Sequence, residues 1–283
     1  MHRRLEQCWS HPANRNRINM KEPGIHANIQ RQDLLLFLFL SFSIAWVLLY
    51  VGISSILDAP DYRSIYSIYK AYLSNFFLLG EVPFWNPYQA LGRPFLADIE
   101  TGVFYPTTLL HVFLPEEIAF FFVVALHLFL AALFMHRLSL ELHGTRFVAC
   151  FCAIAFISSG AVLVRLMSGA VHVFETITLM PWLLYVAVKI QRKYTFGLFV
   201  QLILVLSLSF LAGHTQFFWN NCVGLGFFVL GRRLFAFEKG ESIAFIKDSL
   251  FCLFALGLCF SLIAFVLLPT LEFYFESVRE ADV

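Results

Sequence analysis

Residues Pro115–Leu138 read PEEIAFFFVVALHLFLAALFMHRL, and this stretch decides the fold. From Ile118 onward it is apolar except for His127, His136 and Arg137. About 20 such residues suffice to cross the hydrocarbon core of a bilayer. Its start is well specified: proline suits the first helical turn, and the acids Glu116 and Glu117 favour the positive end of the helix dipole. Working outward, similar runs recur at Leu34–Leu57, Phe147–Val164, Val173–Val188, Phe196–Leu211, Phe217–Leu230 and Leu250–Leu268. The expected architecture is therefore all-α: a polytopic transmembrane helix bundle of about seven spans.

Composition agrees. Hydrophobic residues make up 59% and charged residues 14%, with a mean hydropathy of +0.74. A soluble domain carries about a quarter charged residues. Six cysteines are spread along the chain with no CxxC pair, five of them in apolar runs. They read as small packing residues, not redox or metal ligands. Residues 1–33 form a polar tail rich in arginine, and 34–283 form the membrane domain. If the tail is cytosolic and the spans alternate, every Lys and Arg but Arg63, Lys70, Arg93, Arg165 and Arg279 falls on the cytosolic side. This is the bias that sets topology. Residues 58–117 then form a first extracytoplasmic loop.

That loop contains Gly80–Pro106, GEVPFWNPYQALGRPFLADIETGVFYP. Prolines and glycines break helix at short intervals, and the aromatic content argues for order. Ahead of it, DYRSIYSIYKAYL places Tyr62, Ile65, Tyr66, Tyr69 and Leu73 along one side, as an interfacial amphipathic helix would. Polar groups collect on the same side of the membrane. Asp61 sits where a carboxylate can act as general base on an acceptor hydroxyl; a helix N-cap is the plainer role. Asp98 and Glu100, two apart, would point together on an extended loop and suit a metal or a second acid, a turn-forming aspartate being the alternative. His172 and Glu175 share a helix face, as a site or as a structural hydrogen bond. His214 and Gln216 lie between two spans. Arg93 and Arg165 suit a phosphate, or lipid headgroups. Trp85 and Tyr105 suit a sugar ring, or an aromatic belt. No nucleotide-binding or hydrolase motif occurs, and no basic patch suggests nucleic acid.

Gly80-Glu-Val-Pro-Phe-Trp-Asn-Pro-Tyr, Leu91-Gly-Arg-Pro-Phe-Leu-Ala-Asp and Gly102-Val-Phe-Tyr-Pro together resemble the first outer loop of the YfhO family. These are bacterial multipass proteins of the GT-C glycosyltransferase type. His127, Met180-Pro-Trp-Leu-Leu, Gly213-His-Thr-Gln and Leu268-Pro-Thr-Leu-Glu are similar to later landmarks, with Thr215 where proline is frequent. The resemblance runs from about residue 34 to the end and covers the N-terminal part of longer family members. It implies transfer of a sugar from a polyprenyl-phosphate carrier to an envelope polymer or lipid acceptor, outside the bacterial cytoplasmic membrane, with the N-terminus cytosolic. It implies Asp61 as base or metal ligand, with Asp58 as near competitor. Asp98 and Glu100 would complete the site, Arg93 or Arg165 would hold the carrier phosphate, and Trp85, Asn86, Tyr105, His172, Glu175, His214 and Gln216 would contact substrate. No cofactor is required, though a divalent metal is compatible. A lipid-linked substrate flippase and a truncated, non-catalytic remnant are the alternative expectations.

Overall fold

The computed structural model describes residues 30–47, 56–89, 91–143, 145–234 and 241–276. Most of the polar tail, part of the first apolar run and Arg279 lie outside them. The chain is mostly helical, 81%, in keeping with the all-α expectation. In order, the helices are α1 Arg31–Val47, α2 Ser67–Leu78, α3 Leu110–Phe113, α4 Glu116–His143, α5 Arg146–Ile157, α6 Gly160–Met167, α7 Val171–Thr178, α8 Met180–Arg192, α9 Phe196–Leu211, α10 Thr215–Leu234, α11 Glu241–Leu262 and α12 Ala264–Phe275. A π-helical turn, Tyr62–Tyr66, leads into α2.

Helix α4 is the axis. At 1.5 Å per residue its 28 residues span about 42 Å. It packs against α1, α5 and α8. Its contact faces carry Ala125, Ala131 and Ala132, all buried, and small side chains let helices approach closely where lipid offers no hydrophobic drive. One core gathers Phe37, Val124, Leu128, Ala153, Leu166 and Phe174 around α4. A second gathers Leu183, Val186, Leu202, Val205, Phe218 and Ala255 between α8 and α11. Polar ties cross between helices. Asn221 donates to the Thr176 carbonyl at 2.9 Å and to Ser209 Oγ at 3.0 Å. Gln191 donates to Asp248 at 3.0 Å. Glu141 on α4 holds Lys189 at 3.2 Å and also Arg192.

The outer surface is apolar. Phe39, Phe147, Phe151, Phe227, Leu250 and Leu253 are all more than half exposed, which a water-soluble monomer rarely tolerates in contiguous patches. Among the described residues, three helical stretches are long and apolar enough to cross a membrane: Glu116–Leu142, Arg146–Met167 and Val171–Arg192. A fourth forms if α11 and α12, bent by 79°, act as one broken span. This is fewer than the seven expected, and the reasons are local. The described part of the first run, α1, is 17 residues, and α9 is 16, about 24–26 Å long against a core of about 30 Å. Helix α10 dilutes its apolar character with Asn220, Asn221 and three glycines. The run Leu250–Leu268 is not straight, because the chain turns at Ile263. Helix α1 begins at Arg31, three residues ahead of the apolar run.

One end of the bundle is roofed by residues 56–115, here called the lid. Gly80–Pro106 is more regular than its prolines suggest. Trp85–Asn86 pairs antiparallel with Arg93–Pro94, Phe95 N–H donates to the Phe84 carbonyl at 2.8 Å, and short 3-10 turns follow at Ile99–Thr101 and Pro106–Leu109. The lid has its own core of Tyr69, Leu73, Phe95 and Val103. The aromatic stripe expected from the sequence is the buried face, with Tyr62, Tyr66, Tyr69 and Leu73 each under 9% exposed.

Two glycines fasten the lid to the bundle. Gly102 (φ +58°) and Gly213 (φ +98°) adopt left-handed backbone and both press on the His172 ring. An alanine Cβ at Gly213 would lie 2.9 Å from the Ile99 carbonyl oxygen and 3.2 Å from the ring. Gly213→Ala is expected to destabilise by about 1–3 kcal/mol through backbone strain alone, read as a lower melting temperature in detergent. The exposed Gly197, whose Cβ would meet nothing, is the control and should tolerate alanine.

Candidate functional site

Under the lid lies a cluster of buried polar side chains from four parts of the chain. Helix α7 contributes His172 and Glu175, only 1% and 3% exposed. Glu175 accepts from Thr107 Oγ1 at 2.8 Å and meets His172 Nδ1 at 3.1 Å. Helix α2 contributes Lys70, whose ammonium donates to Thr108 Oγ1 at 2.8 Å and to the Thr101 carbonyl at 3.4 Å. Thr108 Oγ1 donates onward to the Gly102 carbonyl at 2.7 Å. Burial pushes Lys70 down to about 8, partly offset by the negative charge of Glu175. Beside this group, Glu116 accepts from Tyr62 OH and contacts His111 Nδ1 at 3.0 Å. Deeper still, Tyr105 OH meets His127 Nε2 at 2.8 Å, while Nδ1 lies 2.8 Å from the Val123 carbonyl. The carbonyl can only accept, so Nδ1 carries the proton and Nε2 accepts from Tyr105.

Tyr66 stands where this cluster meets the surface. Its ring lies edge-on to His172, centroids 4.4 Å apart. Burial raises its hydroxyl pKa, and the charges of Glu100, Asp61 and Glu175 raise it further. Of the expected site residues, His172 packs on this tyrosine, and the charges of Asp61, Glu100 and Glu175 act on its hydroxyl. Asp61 and Glu100 are exposed and His172 and Glu175 lie beneath. Asp61 caps no helix with its side chain. Asp58 instead pairs with Arg63 at 3.2 Å. The exposed Arg165 lies over the Phe217 ring at 5.4 Å, and His214 packs on the same ring with centroids 5.1 Å apart. His214 falls below its ordinary pKa because of burial, with the Arg165 charge adding to the effect.

The other expected site residues lie apart from this mouth. Asp98 and Glu100 do not point together, because Asp98 caps the 3-10 turn with extended backbone and accepts from the Glu100 N–H at 3.2 Å. Its other oxygen takes Arg93 at 2.7 Å and Tyr69 OH at 3.0 Å. Arg93 also lies over Phe273 at 5.3 Å. Asp98 and Arg93 thus join the hairpin to α2 and α12, and both are engaged. Burial and the neighbouring Asp98 charge raise Tyr69 to about 12. Asn86 is buried and its Oδ1 accepts from Tyr88 N–H at 3.0 Å. Trp85 is 54% exposed on the hairpin. Tyr105 is buried on His127, and Gln216 is exposed in the first turn of α10.

Lys70, Thr107, Thr108, His111 and Glu116 are not among the site residues expected from the sequence. Lys70 had a usable signal: it falls one helical turn beyond Tyr66 and so on the aromatic stripe, where a lysine must be buried or snorkel. The threonines after Pro106 carried none.

The Lys70 environment has a pH signature. Its folded pKa, about 8, lies below the ordinary 10.5. Below pH 8 both states are charged and the fold bears the full cost of burying the ammonium. Between 8 and 10 the folded chain releases the proton while the unfolded chain keeps it, so stability rises with pH. The gain is expected to be about 2 kcal/mol from pH 8 to 10, and Lys70→Met should abolish it. The comparison stops at pH 10, since buried Tyr66, Tyr69 and Tyr105, all with raised pKa, act oppositely above it. Melting temperatures of both proteins across that window check it; parallel curves would exclude a depressed Lys70.

The apolar spans and polar-cored lid define a helical membrane protein. No protein-family model, curated protein or solved structure matches the chain.

Proposed function

We propose that this protein is a membrane glycosyltransferase of the GT-C type, taking a sugar from a polyprenyl-phosphate carrier and passing it to an envelope polymer or lipid acceptor. In this reading the chain crosses the bacterial cytoplasmic membrane several times, up to the seven passes its apolar runs allow. The N-terminus is cytosolic and the lid extracytoplasmic. The observation that carries the reading is the pair of exposed carboxylates, Asp61 and Glu100, whose charges both act on the Tyr66 hydroxyl above the buried His172; the exposed Arg165, over Phe217, is the candidate for the phosphate. The loop sequences that resemble the YfhO family supply the lid.

Asp61 takes the proton of the acceptor hydroxyl, the acceptor oxygen bonds to the anomeric carbon, and the bond from that carbon to the carrier phosphate breaks. Arg165 stabilises the departing polyprenyl phosphate. Asp58 and Arg93 are poorer candidates because each already has a charge partner. A flippase for lipid-linked substrates is the second reading, favoured by the buried Lys70 and Glu175. The test compares envelope glycans and carrier-linked sugar in cells with and without the gene. Loss of one sugar linkage with build-up of its carrier-linked donor is the expected result. Carrier movement across reconstituted vesicles with no covalent transfer would replace this reading with the flippase.

A further inference from the structure

At the end of the bundle opposite the lid, three side chains distant in sequence meet. Asp33 lies in the first turn of α1, His136 in the last third of α4, and Cys150 in the first turns of α5. Asp33 is 3% exposed, His136 is fully buried, and Cys150 is half-buried. One donor atom from each lies within 4.8 Å of the other two.

The bonds already made leave a gap. Asp33 Oδ1 accepts from Arg146 Nη2 at 2.6 Å and Nε at 2.9 Å. Asp33 Oδ2 accepts only from the Gln30 N–H, at 3.3 Å, and faces His136 Nε2 at 3.9 Å, too far for a hydrogen bond. The Cys150 thiol donates a long hydrogen bond to Oδ1, at 3.7 Å. Among the described residues, neither nitrogen of His136 has a hydrogen-bond partner. A buried imidazole without partners forfeits about 1–3 kcal/mol per polar group, so it calls for an occupant.

We propose that Asp33, His136 and Cys150 form a binding site for a zinc-class divalent ion. The spacing fits. Zinc bonds of about 2.0–2.3 Å in a tetrahedron put ligand atoms about 3.3–3.7 Å apart. The 3.9 Å between Asp33 Oδ2 and His136 Nε2 needs to close by only a few tenths of an ångström, and the three ligand atoms, all within 4.8 Å of one another, need to draw in by about 1 Å at most. The donors fit too: sulfur and imidazole beside one carboxylate select zinc or cobalt over magnesium or calcium. Arg146 fixes the carboxylate through Oδ1 and leaves Oδ2 for the metal, as outer-shell partners do. Zinc uptake displaces the Cys150 thiol proton to solvent, so binding releases one proton and tightens as pH rises. The ion would pin the start of α1 to α4 and α5. The site is independent of the glycosyltransferase reading.

Cobalt is the probe, because it reports sulfur ligation optically. The purified full chain in detergent, stripped with chelator, is titrated with Co²⁺ and then with Zn²⁺. One equivalent of Co²⁺ should produce a thiolate-to-metal absorption band that Zn²⁺ removes and Mg²⁺ does not. Cys150→Ser should abolish the band. His136→Gln should retain a weaker band and lose more affinity than the 10–100-fold typical of an outer-shell change. Cys8, His2, His11 and His26 lie outside the described residues, and these variants separate them from the site. No band, or a band unchanged in both variants, overturns the proposal: the first means that only water fills the gap, the second that the tail binds the metal.

Discussion

Under the proposed glycosyltransferase reading, replacing Asp61 by asparagine is expected to lower sugar transfer about 10²–10⁴-fold while leaving the protein's melting temperature unchanged. The size is that of a positioned general base. The unchanged stability follows from the structure, since the Asp61 side chain is exposed and caps no helix, and an isosteric amide there disturbs no packing. Two companions give the result its meaning. Asp58→Asn should transfer at close to the wild-type rate, because that carboxylate sits on the surface paired with Arg63 and such pairs contribute little. Arg165→Lys should be impaired, because a point charge does not reproduce bidentate phosphate contact. The assay is transfer of labelled sugar from a polyprenyl-phosphate donor in membranes holding equal amounts of each variant. Full activity in Asp61→Asn would remove Asp61 from the chemistry.

The second large effect is on stability. Glu175→Ala will destabilise the protein by about 3–5 kcal/mol, the range for breaking one side of a buried charged network. Its carboxylate is the partner of Thr107 Oγ1 and His172 Nδ1, and its charge offsets the buried ammonium of Lys70. Removing it leaves two donors and a cation in a buried site. Glu175→Ala combined with Lys70→Met should recover part of the loss, because the second change removes the stranded charge. Asp98→Asn is the comparison from the other lid cluster. It weakens the Arg93 contact at 2.7 Å, and Arg93 keeps some access to water, so it should cost less. Thermal melts of all four proteins in one detergent decide the order. A Glu175→Ala protein as stable as wild type would mean that the polar cluster does not hold the lid.

The features legible in the sequence are those with a repeating pattern. Long apolar runs without proline make helix wherever they lie, and Pro115-Glu116-Glu117 marks the start of α4 by rules that concern one turn. The aromatic stripe from Tyr62 to Leu73 announced its buried face through helical spacing. The spans were less legible than the helices. A run such as Leu250–Leu268 reads as continuous, yet the chain bends by 79° between α11 and α12. Hydropathy records what a helix is made of, not whether it stays straight.

At the candidate site the sequence supplied the groups and tertiary structure chose among them. Asp98 and Glu100 are equal candidates as letters. In the fold Asp98 is buried against Arg93, Tyr69 and a backbone N–H, and Glu100 is exposed. Asp33, His136 and Cys150 have no motif spacing, and only the packing of α1 and α5 on α4 brings them within 4.8 Å. Local chemistry, helix starts and buried faces depend on neighbours within a turn or two, so the sequence by itself determined them. Which charges are paired, buried or left open depends on contacts between residues far apart in the chain, and only the tertiary structure decided those.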